Sequence, residues 1–132
     1  MTKLTCNLIQ CNTPTVNNRI YKEENLNKAI EEFNQNPNPK FGGLVKFENK
    51  TDITLNSTEI THKVEKTYLE DGKINIDINL MQDLELSEFE VFPIFMGQIN
   101  ENNVIDDLKI VRFDLISKKE LQEKENVKKN HK

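Results

Sequence analysis

The run Lys73-Ile-Asn-Ile-Asp-Ile-Asn-Leu80 alternates aliphatic and polar residues. A period of two suits an extended strand with one apolar face; on a helix the same aliphatic side chains would scatter around the cylinder. Ile74, Ile76, Ile78 and Leu80 are therefore predicted to face a core, with Asn75, Asp77 and Asn79 turned outward. Just upstream, Glu70-Asp71-Gly72 supplies a hairpin turn, because Asp-Gly tolerates the positive φ angles of tight primed turns. The segment before it, "TEITHKVEKTYL", is then the partner strand. Simple alternation puts Ile60, His62, Val64 and Tyr68 on one face, and Thr61, Lys63, Glu65 and Thr67 on the other.

A lone hairpin is marginal in water, so its apolar face needs a cover. Leu26, Ala29, Ile30 and Phe33 fall at i, i+3, i+4 and i+7, one stripe of an amphipathic helix. Glu23 and Glu24 occupy its first turn, where the helix dipole favours negative charge. "NQNPNP" ends it, because proline removes a donor and clashes with the preceding turn. "KLTCNLIQC" reads as an N-terminal strand and "VIDDLKIVRFDLIS" as the last long one, entered through the turn "NENN". Between them "EFEVFPIFMGQI" is apolar on both faces and contains Pro93, so a buried strand with a bulge or break is expected. The expected fold is α+β: a mostly antiparallel, barrel-like sheet domain over residues 1–117, with one principal helix at about 22–35. Residues 118–132 form a charged basic tail with six Lys against three Glu, expected as a frayed helix or disordered segment.

Of the 132 residues, 36% are hydrophobic and 30% charged, which suits one soluble domain. A net charge of −4 gives no concentrated basic surface, so nucleic acid is not an expected partner. No apolar run is long enough to span a bilayer, and no targeting signal is evident at the N-terminus; synthesis in the cytoplasm is expected. Cys6 and Cys11 lie five apart, on opposite faces of a strand, and are expected as reduced thiols. Without neighbouring Cys or His they make no metal site. No cofactor is expected.

The order of segments is more informative than any one of them. "NNRIY" (Asn17 to Tyr21) leads into the helix "LNKAIEEF", followed by Gly42-Gly43-Leu44. Then come the "ITHKV" strand, the "EDGKI" hairpin and the closing "VIDDLKIVRFDLIS". Over roughly Thr15 to Ser117 this resembles the prohead maturation proteases of tailed bacteriophages, similar in fold to herpesvirus assemblins. The resemblance aligns Lys46 with the family's His of its Gly-Glu-Leu-x-His segment. It aligns His62 with the His of its Ser-His-x-Val strand, Thr61 replacing Ser, and Asp114 with an Asp of the closing strand. The strand that would hold the nucleophile reads Phe89 to Ile99 and contains no Ser, Thr or Cys. Acyl transfer needs a nucleophile, a base within hydrogen-bond reach and an oxyanion site.

The resemblance thus implies a catalytically degenerate relative, not an enzyme. It would be an auxiliary or decorating capsid protein located in the virion, contacting the major capsid protein, other virion proteins or further copies of itself. Lys46, His62 and Asp114 would be relic positions. The tail residues Lys118, Lys119, Lys124, Lys128 and Lys129 would offer a clamp onto an acidic partner surface. Two other readings compete: an active protease rearranged around Lys46 with Ser57 or Ser87, and a small phage-encoded regulator of a host protein. His62 has its own plain reading as a half-buried strand histidine with a hydrogen-bond partner. Asp114 has one as a local acceptor paired with Arg112. Asp106, Asp107 and Glu101 lack the spacing and glycine of a calcium loop and read as a solvated turn.

Overall fold

Asp71 (φ 55°) and Gly72 (φ 76°) adopt the two positive φ angles of a type I′ turn. This turn joins the two middle strands of the main sheet. The computed structural model describes residues 1–45, 47–48, 52–53 and 60–122. In chain order the elements are β1 (Thr2–Thr5), α1 (Glu23–Gln35), β2 (Phe41–Gly43), β3 (Phe47–Glu48) and β4 (Asp52–Ile53). They continue with β5 (Ile60–Glu70), β6 (Lys73–Leu80), β7 (Phe89–Ile99) and β8 (Ile105–Ser117). The turn joins β5 to β6 within a four-stranded sheet of order β1-β6-β5-β2, every pair antiparallel. β7 and β8 form a separate long hairpin, and β3 pairs with β4. The molecule is α+β with mostly antiparallel sheets and one main helix, and its sheets do not close into a barrel.

Ile74, Ile76 and Ile78 are fully buried and share one core with Leu26, Ala29, Ile30 and Phe33 of α1. Phe113 and Leu115 of β8 enter from the other side, Phe33 meeting Phe113 edge-on at 5.4 Å between ring centroids. α1 is thus clamped between the sheet and the hairpin. Its N-terminus has no side-chain cap from Lys22; instead Asn12, itself at φ 62°, accepts the Glu23 N–H at 3.1 Å. The preceding "NNRIY" stretch makes a turn in which Thr15 accepts the Arg19 N–H. Its last residues dock, Ile20 bridging Val104 and the Tyr21 ring lying 5.1 Å from that of Phe95.

Several details depart from simple alternation. A bulge between Val64 and Lys66 inserts Glu65, so the faces of β5 exchange: Thr67 joins the core and Tyr68 moves to the outer face. Leu80, at the end of β6, is 38% exposed. Asn75 is buried rather than solvated, its amide held by the Thr5 hydroxyl and the Lys73 carbonyl. β1 is also shorter than "KLTCNLIQC" suggests. Beyond Thr5 only isolated bonds follow β6 and the turn, Cys6 N–H to Ile74 and Cys11 N–H to Gly72. β7 is no buried strand: its far half is exposed, Met96 at 63% and Ile99 at 52%. Two register shifts interrupt its pairing with β8, and Pro93 stands opposite Phe113. A proline and bulges are how natural edge strands resist further pairing. Residues 118–122 are helical; the rest of the tail lies outside the described residues.

The exchange of faces at Glu65 leaves a chemical trace. The Thr67 hydroxyl is buried with no hydrogen-bond partner among the described residues, and Thr67 stands opposite Ile76. These neighbours should respond to substitution with opposite signs. Ile76→Ala should lower unfolding free energy by about 2–5 kcal/mol, the usual loss for a buried isoleucine. Thr67→Val, which keeps the shape and removes the orphaned hydroxyl, should raise it by about 1 kcal/mol. Urea titration of the two variants checks both.

Candidate functional site

Two sheets that do not share a ladder leave strand edges facing the interior, and backbone groups on those edges need partners. The densest such place is where residues 41–45 pass from one sheet to the other. Phe41 and Gly42 pair with Lys63 and His62 of β5, and a bulge then places Gly43 opposite Ile60. Leu44 next bridges Leu115 in parallel, and the Val45 N–H donates to the Leu115 carbonyl at 2.8 Å.

His62 sits at this crossing with no exposed surface. Its Nε2 lies 2.7 Å from the Phe113 carbonyl and its Nδ1 2.8 Å from the Thr61 hydroxyl. A carbonyl can only accept, so Nε2 carries the proton and Nδ1 accepts from Thr61. Both ring nitrogens are therefore committed. Burial depresses the imidazole pKa below its ordinary 6.5, opposed by the Phe113 carbonyl and the nearby Asp114 carboxylate. Asp114, 1% exposed, takes Arg112 Nε at 3.0 and 3.2 Å on its two oxygens, and the Gly43 N–H at 3.1 Å. Gly42 is required by close approach: a Cβ there would run into the Phe113 carbonyl oxygen and the His62 ring.

The sequence-predicted positions are thus only partly gathered. His62 and Asp114 meet at the crossing. Lys46, Ser57, Lys124, Lys128 and Lys129 lie outside the described residues. Lys118 and Lys119 are exposed at the start of the 118–122 helix. The Ser87 hydroxyl donates to the exposed Glu85 carboxylate at 3.0 Å. The hydroxyl that does reach His62 is that of Thr61, and it is 1% exposed. Among the described residues no cluster of His, Cys, Asp or Glu could hold a metal ion, and Asp106 accepts from the Asn100 amide. Sequence reasoning missed the parts that make the crossing: the Phe113 carbonyl, the Gly42 contact and the Gly43 N–H. Adjacent glycines were its one available signal.

A second junction stands on β7 at the same end of the hairpin, Glu90 and Val91 pairing with Ile116 and Leu115. Glu90 accepts the Asn7 N–H at 2.9 Å and the Val91 N–H at 3.2 Å, while the Cys6 thiol points at the Val91 carbonyl. Cys6 and Cys11 are both free thiols. Burial pushes the Cys6 thiol up to about 12, so it stays protonated and unreactive.

No family model, curated protein or solved structure matches the chain.

The crossing should be intolerant of added volume. Gly42→Ala is expected to cost about 1–3 kcal/mol or more, as overpacking does where the obstacle includes backbone. Chemical denaturation measures it, and a loss below about 0.5 kcal/mol would show that β2 does not thread between His62 and Phe113 as described.

Proposed function

We propose that this chain is a non-catalytic structural protein of a phage particle, an auxiliary or decorating capsid protein on a degenerate prohead-protease-like scaffold. The observation that carries the non-catalytic half is His62. A working general base needs a nitrogen open to the reacting group and a route for substrate. Here both nitrogens are bonded internally and neither His62 nor Thr61 reaches solvent. β7 offers no hydroxyl or thiol between Phe89 and Ile99. The capsid half rests on the order of segments, from "NNRIY" through the "ITHKV" strand to the closing "RFDLIS". The surface on offer suits contact rather than reaction. β7 exposes Met96 and Ile99, neighbouring Val111 of β8 is 42% exposed, and Lys118 and Lys119 extend from the end of β8.

Two measurements test the two halves separately. Purified protein should take no label from a serine-directed fluorophosphonate and should leave capsid and scaffold precursors intact. Mass spectrometry of purified proheads and virions should find the chain at a copy number tied to capsid symmetry. Labelling at Ser57 or Ser87 would restore a rearranged protease. Absence from every particle stage would turn the reading toward a regulator of a host protein.

A further inference from the structure

The crossing at His62 joins three strands through one titratable ring. β5 contributes the imidazole, β8 the Phe113 carbonyl that it donates to, and β2 the Gly42 backbone packed against it. The neighbouring ties between hairpin and sheet cluster within a few residues: Val45 N–H to Leu115, Gly43 N–H to Asp114, and the Leu44–Leu115 bridge. We propose that this junction is an acid-operated latch: protonation of His62 releases β8 from β2 and β5, while the β5–β6 ladder stays closed.

The surroundings explain why a second proton is tolerated poorly. Hydrogen bonding alone would not forbid it. Nδ1–H could donate to the Thr61 oxygen, whose hydrogen could then turn toward the Gly42 carbonyl 3.5 Å away. Charge is the obstacle. From β8, Asp114 and Arg112 already neutralise each other at 3.0 Å, so an imidazolium adds a net positive charge to a group with no solvent contact. β5's own Lys63 pairs with Glu65 at 3.6 Å, and β2 supplies glycines. β6 places Leu80 opposite His62, and α1 contributes the Phe33 ring against Phe113. The ring cannot slide away from Phe113, because Gly42 packs against it with no room for even a methyl group. Separation of the strands is what lets water reach it.

The direction follows from linkage. The closed junction binds fewer protons than the open one, so its stability is fully present above the ordinary histidine value of 6.5 and falls as pH drops below it. Between that value and the lower pKa of the closed state, the opening constant rises about tenfold for each pH unit.

The chain has only two histidines, so ring resonances can be assigned with a His131→Asn variant. The His62 ring should resist titration through pH 6.5 and change only as the junction opens. Hydrogen exchange, corrected for intrinsic rates, should show protection at Gly43 and Val45 falling about tenfold per pH unit below 6.5, with Ile76 unchanged. His62→Gln keeps an amide donor for Phe113 but cannot titrate, and its protection at Gly43 and Val45 should be flat over the same range. The proposal is overturned if His62 titrates at or above 6.5 with the junction still protected. It is equally overturned if His62→Gln opens as the wild type does, since a carboxylate such as Asp114 or Glu90 would then be the trigger. Should His62→Gln not fold, the ring titration of the unaltered protein, set against exchange at Val45, decides alone.

Discussion

Polar side chains stand in this molecule where further strands would stand in a larger sheet. β2 covers the edge of β5 only as far as Val64, whose N–H donates to Lys40. Farther along, at Thr67, the Asn34 side-chain amide of α1 both accepts from the backbone N–H and donates to the carbonyl, at 3.2 and 2.7 Å. The edge of β8 is completed the same way: Asn25 donates to Ile105, His62 to Phe113, and the backbone at Val45 to Leu115. Each buried backbone group left without such a partner costs about 1–3 kcal/mol. Net stability of a domain is about 5–15 kcal/mol, so losing a few of these contacts would unfold it. Helix, sheet and hairpin therefore have one relative placement in which the edges are answered.

That dependence separates what the sequence could disclose from what it could not. The β5–β6 hairpin was legible because its signals are local: alternation at Ile74, Ile76 and Ile78, and an Asp-Gly pair that fits a primed turn. The helix was legible for the same reason, through the stripe Leu26, Ala29, Ile30 and Phe33. The bulge at Glu65 was not, since nothing in "HKVEKT" marks where one extra residue will be absorbed, and one residue turns every later side chain over. The character of β7 was hidden by its own composition. Apolar residues on both faces look like a central strand. Here one face carries Val91 and Phe95 into the core, while Met96 on the other stays open to solvent.

The histidine illustrates the same limit at the level of a site. Sequence placed His62 on a strand beside Thr61, and Asp114 on a distant strand near Arg112. Both are true of the structure, and Arg112 and Asp114 do pair. What distance along the chain concealed is that β2 brings them to one crossing, and that the ring's decisive partner is a backbone carbonyl. Main-chain acceptors have no residue letter. Their use becomes visible only when the edge they lie on is known to face inward.

The arrangement at His62 has the connectivity of a hydrolytic triad with its last member replaced. A hydroxyl donates to one ring nitrogen and the other nitrogen donates onward, as in Ser-His-Asp sites. Here the onward acceptor is the neutral Phe113 carbonyl. It can fix the tautomer and orient the ring, yet it has no charge to stabilise the imidazolium that would form once the hydroxyl proton was taken. The nearest anion, Asp114, is already engaged by Arg112 and the Gly43 N–H. Burial of the ring works in the same direction, weakening it further as a base. Thr61, the hydroxyl in question, is closed off from solvent, so even an activated oxygen would meet no substrate. The constellation that in an open cleft would move protons serves, once closed over, to hold two sheets in register. Its remaining sensitivity is to the proton itself.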